Sequence, residues 1–67
     1  MIMKVRAVIK IIDEDGWYFH KQKGSHMQFR HLTKPGKVTV PNHGLNEDLD
    51  HKTVASILNQ AGVTILA

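Results

Sequence analysis

The residues best suited to chemistry lie between Trp17 and Gly44, a stretch holding Lys21, Lys23, Arg30, Lys34 and Lys37, four of the five histidines (His20, His26, His31 and His43) and no Asp or Glu. All six acids fall outside it, in Asp13-Glu14-Asp15 and in Glu47, Asp48 and Asp50, so a net charge of +3 conceals a strongly cationic middle. Charge segregated in this way concentrates a polyanion and speeds its capture, which makes the segment a surface for phosphates. Within it, Gly24-Ser25-His26 sets an imidazole beside a glycine turn. Imidazole ordinarily titrates near pH ~6.5 and offers both protonation states at neutral pH, so His26 is the first place to look for acid–base chemistry.

Composition narrows the alternatives. At 67 residues the chain is read as one domain, residues 1–67, near the lower limit for folding without a disulfide or a metal. It has no Cys, which excludes a disulfide framework, a thiolate metal site and a cysteine nucleophile, and which fits a reducing, cytoplasmic setting. Lys4, Arg6 and Lys10 interrupt the partly apolar N-terminal run before a signal-peptide core can form, and nothing approaches the ~20 apolar residues of a membrane span. The histidines raise zinc, but structural zinc sites usually combine imidazole with thiolates at short fixed spacing, and the chain has neither those nor an H-x3-H pair. No metal or other cofactor is expected.

The elements that must position these residues are legible from period and punctuation. Ile2, Val5, Val8, Ile9 and Ile12 recur at helical spacing, with Gly16 placed to end the helix. The same run also alternates as a strand would, but alternation fails at Val8 and Ile12. From Trp17 the period becomes two: Trp17 and Phe19 share one face, read as core, while Tyr18, His20 and Gln22 share the other. Gly24-Ser25 turns the chain into a second strand with Met27 and Phe29 inward and His26, Gln28 and Arg30 outward. Lys34-Pro35-Gly36-Lys37 suits a type II turn into a strand over Lys37 to Val40, with Val38 and Val40 inward and Pro41 stopping it or marking an edge. Asp50 is placed to cap a second helix through the backbone of Lys52 or Thr53, and Val54, Ile57, Leu58 and Ala61 form its apolar stripe up to Gly62. A three-stranded antiparallel meander with both helices on one face leaves the opposite face, with His26, Gln28 and Arg30, open to a ligand.

These residues resemble a known family. Gly24-Ser25-His26 followed by Phe29-Arg30-His31, then Val38-Thr39-Val40-Pro41-Asn42-His43, Thr53 to Leu58 and Gln60-Ala61-Gly62 are similar to the HicA-type mRNA interferase toxins, the YcfA-like family. The resemblance implies an α+β fold, the double-stranded-RNA-binding-like α-β-β-β-α arrangement. It further implies cleavage of RNA, with the catalytic histidine falling on His26, and a HicB-type antitoxin that covers His26 and the basic face. The departures are Phe29, where the family often has Tyr, and a short tail after Gly62.

RNA carries its own nucleophile, the 2′-hydroxyl. A minimal site then has only to take that proton, stabilise charge on phosphorus and assist the leaving oxygen, and positioned proton transfer typically contributes ~10²- to 10⁴-fold. Lys21, Lys23 and Arg30 are placed to neutralise the phosphate, with Ser25, Gln28, Lys34, Lys37 and His43 as further RNA contacts. His31 shares the parity of Met27 and Phe29 and reads as a residue at the edge of the core, while His20 reads as solvated or as an RNA contact. The expected protein is thus an endoribonuclease toxin acting on mRNA, monomeric apart from its antitoxin complex. A non-catalytic RNA-binding module and a protein-interaction domain are the competing readings.

Overall fold

A computed structural model describes residues 2–64. The first residue and the end of the short tail lie outside it. The elements in chain order are β1 (Met3–Lys4), α1 (Val5–Glu14), β2 (Tyr18–Lys23), β3 (His26–Arg30), β4 (Val38–Pro41), β5 (Asp48–Leu49) and α2 (His51–Ala61). The strands β2-β3-β4 form an antiparallel meander in that order, and β1 pairs with β5 in a separate two-stranded ribbon. The expected α+β architecture is therefore present, with one addition. Ile2, assigned by spacing to the first helical stripe, is exposed and precedes the ribbon.

That ribbon explains how α1 starts without a capping side chain. Lys4 sits before the helix in extended conformation and offers no side-chain cap. Instead the Val5 N–H donates to the Glu47 carbonyl at 2.9 Å and the Arg6 N–H to the Leu45 carbonyl at 3.0 Å. Two donors that a helix start leaves unpaired are thus satisfied by a loop about 40 residues away in sequence, which local periodicity cannot disclose. The second helix starts as expected: the Asp50 carboxylate accepts from the Thr53 N–H at 2.8 Å.

Both helices stop the same way. At Gly16 the chain turns left-handed (φ +105°), with the Gly16 N–H on the Asp13 carbonyl and the Trp17 N–H on the Ile12 carbonyl. Gly62 (φ +66°) repeats the pattern, and Val63 N–H donates to the Leu58 carbonyl. These are paired backbone bonds of the Schellman type. The two ends meet through Lys34, whose ammonium pairs with the Asp15 carboxylate and donates to the Ala61 carbonyl at 3.1 Å. The cation therefore offsets both the acidic cluster at the end of α1 and the carbonyl dipoles at the end of α2.

The core joins Val5, Val8 and Ile12 of α1 and Val54, Ile57, Leu58 and Ala61 of α2 to Phe29, Val38 and Val40 of the sheet, with Trp17 and Leu49 closing its ends. The helices pack against β4 and leave β2 uncovered, so every residue of β2 is exposed. Phe19, expected in the core, is for that reason 53% exposed and rests edge-on against Phe29, ring centroids 6.0 Å apart.

The Lys34 hydrogen bond, ahead of the opposing effect of desolvation, holds the Asp15 carboxyl below the usual carboxylate range. The Thr53 N–H does the same for Asp50. A carboxyl lowered by folding contributes stability that is complete above its unfolded pKa and is lost as pH falls through the folded value. The protein should accordingly weaken below about pH 4, and Asp15→Asn should be less stable at neutral pH with a shallower acid dependence. Urea midpoints measured across that range check this; an unchanged acid slope in the variant would remove Asp15 from the account.

Candidate active site and nucleic-acid interface

The hairpin that presents His26 is built from two residues, Gly24 and Ser25. Gly24 takes φ +61° while Ser25 does not have a positive φ, as suits a type II′ turn with Gly in its first central position. The turn is tied down on both sides. Gln22 Nε2 donates to the Gly24 carbonyl at 2.9 Å, and the Asn42 N–H, just past β4, donates to the Ser25 carbonyl at 2.6 Å. Ser25 is half-buried as a result, whereas His26 is exposed.

Register decides which cations share the histidine's face. In β2 and β3 the pairs are Tyr18 with Arg30, Phe19 with Phe29, Lys21 with Gln28, Gln22 with Met27 and Lys23 with His26. The register shifts between Phe19 and Lys21, leaving His20 as the extra residue of a β-bulge. This corrects the alternation read from sequence. Gln22, expected on the open face with Tyr18 and His20, crosses to the core side with Met27. Lys21 and Lys23 take its place beside Gln28 and His26. Directly opposed residues have Cβ atoms about 4.5–5.5 Å apart, so the Lys23 ammonium can reach a phosphate held at His26. With Arg30 farther along, the outer face carries Lys23 and His26 at the turn, then Lys21 and Gln28, then Arg30 against Tyr18. None of the six acids lies on this sheet.

The other expected contacts spread differently. Lys37 is exposed next to β4 at the Arg30 end, about 13 Å along the strands from His26 at ~3.3 Å per residue. Arg30 Nη1 donates to the Gly36 carbonyl at 3.3 Å, which fastens the Pro35-Gly36 turn to that end of the face. His43 is exposed two residues beyond Pro41, the partner of His26. Lys34, expected on RNA, is instead the clamp between helix ends described above, with its ammonium taken by Asp15, Ala61 and Gly62. Sequence spacing shows only that Lys34 is a cation near a turn.

His31 is structural, as its parity implied. Its Nδ1 accepts from the Thr33 and Lys34 N–H groups at 3.0 and 3.1 Å, which makes Nε2 the protonated nitrogen, and Nε2 donates to the Asp15 carbonyl at 2.7 Å. The ring also stands edge-on to Trp17 at 5.1 Å. A Cβ on Gly16 would lie 2.7 Å from Nε2, so only glycine fits there.

A groove of about 360 Å³ opens between β4 and α2 beside the histidine, lined by His26, Thr39 and Pro41 from the sheet and by Lys52, Ser56 and Gln60 among others from α2. Sequence reasoning missed this wall. The positions 52, 56 and 60 recur every fourth residue, one polar stripe beside the apolar one, but nothing local shows that it faces His26. Among the described residues no group of three or more His, Asp or Glu side chains is placed to hold a metal ion, and no helix is long and apolar enough to cross a membrane.

A family model described as the HicA toxin of bacterial toxin–antitoxin matches residues 5–63. No curated protein matches the chain. The match covers nearly all of the 67 residues, and the chain belongs to this family.

The two histidines make opposite predictions for stability. His31→Ala should cost about 1–3 kcal/mol, because a part-buried carbonyl and two backbone N–H groups lose their partner, whereas exposed His26→Ala should stay within about 0.5 kcal/mol of wild type. Chemical unfolding of both variants measures this. Unfolding of the His26 variant would reassign that residue to structure.

Proposed function

Given that the chain is a HicA-family toxin of a toxin–antitoxin pair, we propose that it is an endoribonuclease that cleaves mRNA in the cytoplasm and halts growth, with His26 as its general acid and base. One observation carries the reading: an exposed imidazole on a tied-down hairpin, paired in register with Lys23 and followed on the same face by Lys21 and Arg30, with no carboxylate on the sheet. In the reaction the His26 imidazole takes the proton of the 2′-hydroxyl as that oxygen attacks phosphorus. The bond from phosphorus to the 5′-oxygen breaks, and the imidazolium returns a proton to the leaving oxygen. The products are a 2′,3′-cyclic phosphate and a 5′-hydroxyl, with no proton gained or lost overall. Lys23 and Lys21 stabilise the charge that develops on the phosphate oxygens, and Ser25, Gln28, Arg30, Lys37 and His43 hold the flanking strand.

Wild-type protein should cleave single-stranded RNA and arrest growth on induction, while His26→Ala loses both, with cleavage reduced by ~10²- to 10⁴-fold in a folded protein. Binding without cleavage in the wild type would leave an RNA-binding module. Affinity of the His26→Ala variant should fall with salt, and replacing Lys21 and Lys23 together should flatten the log–log slope by ~0.7 per phosphate contact. A slope near zero before substitution would remove RNA from the account and favour a protein-interaction domain.

The antitoxin is proposed to be HicB-type and to cover His26, placing carboxylates against Lys21, Lys23 and Arg30 so that the charges that attract RNA also select the partner. RNA binding by His26→Ala protein should then vanish at saturating antitoxin. Equal binding by the complex would place neutralisation elsewhere.

A further inference from the structure

We propose that the groove between α2 and the outer edge of β4 seats one unpaired nucleotide of the RNA next to the phosphate at His26, with Lys52 on its phosphate and the Ser56–Gln60 pair on its polar edge. This rests on the ribonuclease reading and deepens it, because it names residues of α2 that seat a base and select the cleaved position.

The geometry comes from the helix. Lys52, Ser56 and Gln60 lie one turn apart, so they form a ladder along the groove with the lysine at the start of α2. Gln60 is fixed in that ladder by two bonds. Its Oε1 accepts from the Thr39 N–H on the outer edge of β4 at 3.1 Å, and its Nε2 donates to Ser56 Oγ at 3.3 Å. The orientation of the amide is therefore assigned by its partners. One Nε2 hydrogen remains unused, as does one Oε1 lone pair. Ser56 Oγ, accepting from Gln60, keeps its own proton to donate outward. A fixed donor–acceptor pair of this kind reads the edge of a base, and a mobile surface glutamine does not. Half-buried Pro41, which lines the groove, supplies apolar surface for the flat face of a base.

Lys52 makes no ion pair among the described residues, and the nearby Asp50 carboxylate is taken up by the Thr53 N–H at 2.8 Å. Its charge is available to a phosphate on the side of His26 opposite Lys23. At about 360 Å³ the groove is at the low end of the ~300–1,000 Å³ usual for small-molecule sites, enough for one nucleotide. A base held in a duplex cannot turn its edge into this space, whereas unstacked bases of single strands are read in this manner.

The test has a cleavage arm and a binding arm. Cleavage positions on a long single-stranded transcript are mapped for wild type, Lys52→Gln, Ser56→Ala and Gln60→Glu, with thermal unfolding as the fold control. Gln60→Glu keeps an acceptor for Thr39 but puts a carboxylate in the groove. Ser56 and Lys52 are exposed, so their variants should fold even where that one does not. Expected are an altered distribution of cleavage positions for Ser56→Ala and Gln60→Glu, and a several-fold higher KM for Lys52→Gln with a salt slope reduced by ~0.7. In the binding arm a short oligoribonucleotide is titrated into His26→Ala protein while amide resonances are followed. Shifts at residues 52, 56 and 60 together with residue 26 support the seat even where no cleavage is found, which would sink the enzyme reading alone. Unchanged positions and KM in folded variants, or shifts confined to β2 and β3, overturn the seat while leaving His26 chemistry intact.

Discussion

The burial of Trp17 is the interaction on which the rest of the molecule depends. Its side chain is 1% exposed, and Nε1–H donates to the Ala61 carbonyl at the end of α2, 3.2 Å away. Its backbone N–H closes the end of α1 on Ile12, and its ring meets His31 edge-on. One residue thus joins the C-terminal ends of both helices to the loop after β3 and launches β2. A buried aromatic of this size dominates a core with twelve buried side chains among the described residues, and its polar atom has found a partner, as burial requires. Lys34 and Gly16 complete the same junction: one neutralises the acid that ends α1, and the other leaves room for the His31 ring.

The candidate site lies at the far end of the β2–β3 hairpin from this junction. That separation has a physical use. The Trp17 end holds a part-buried polar network of His31, Asp15 and Lys34, where loss of one partner strands others. At the Gly24-Ser25 end the turn is held by the Gln22 side chain and the Asn42 N–H, so His26 and the lysines remain in water and open to a large anion. The uncovered β2 follows from the same arrangement, since two short helices suffice to cover β3 and β4 alone. Its bulge at His20 then turns Lys21 and Lys23 towards the histidine. A regular strand would have turned Gln22 there instead.

What was legible in the sequence was what local chemistry dictates. Asp50 and Gly62 bracket α2 as a cap and a left-handed stop, Gly36 takes φ +80° in the Pro35-Gly36 turn, and Trp17, His31, Val38 and Val40 fall where their parity put them. The failures share one cause. The bulge at His20, the exposure of Phe19, the start of α1 at Val5, the capture of Lys34 by two helix ends and the α2 wall of the groove are all set by partners distant in sequence. Alternation of polar and apolar residues is the same on either side of a bulge. It therefore carries no mark of the extra residue.

The central claim is that this face lets RNA cut itself, with His26 handling the proton. The most direct measurement substitutes a single 2′-deoxynucleotide at a mapped cleavage position in an otherwise unmodified single-stranded RNA and analyses the ends of the products. The account predicts that cleavage stops at that position alone, and that every remaining cut leaves a 2′,3′-cyclic phosphate and a 5′-hydroxyl. Cleavage that persists at the deoxynucleotide, or products bearing a 5′-phosphate, would mean that the nucleophile is not the substrate's own hydroxyl and would contradict it.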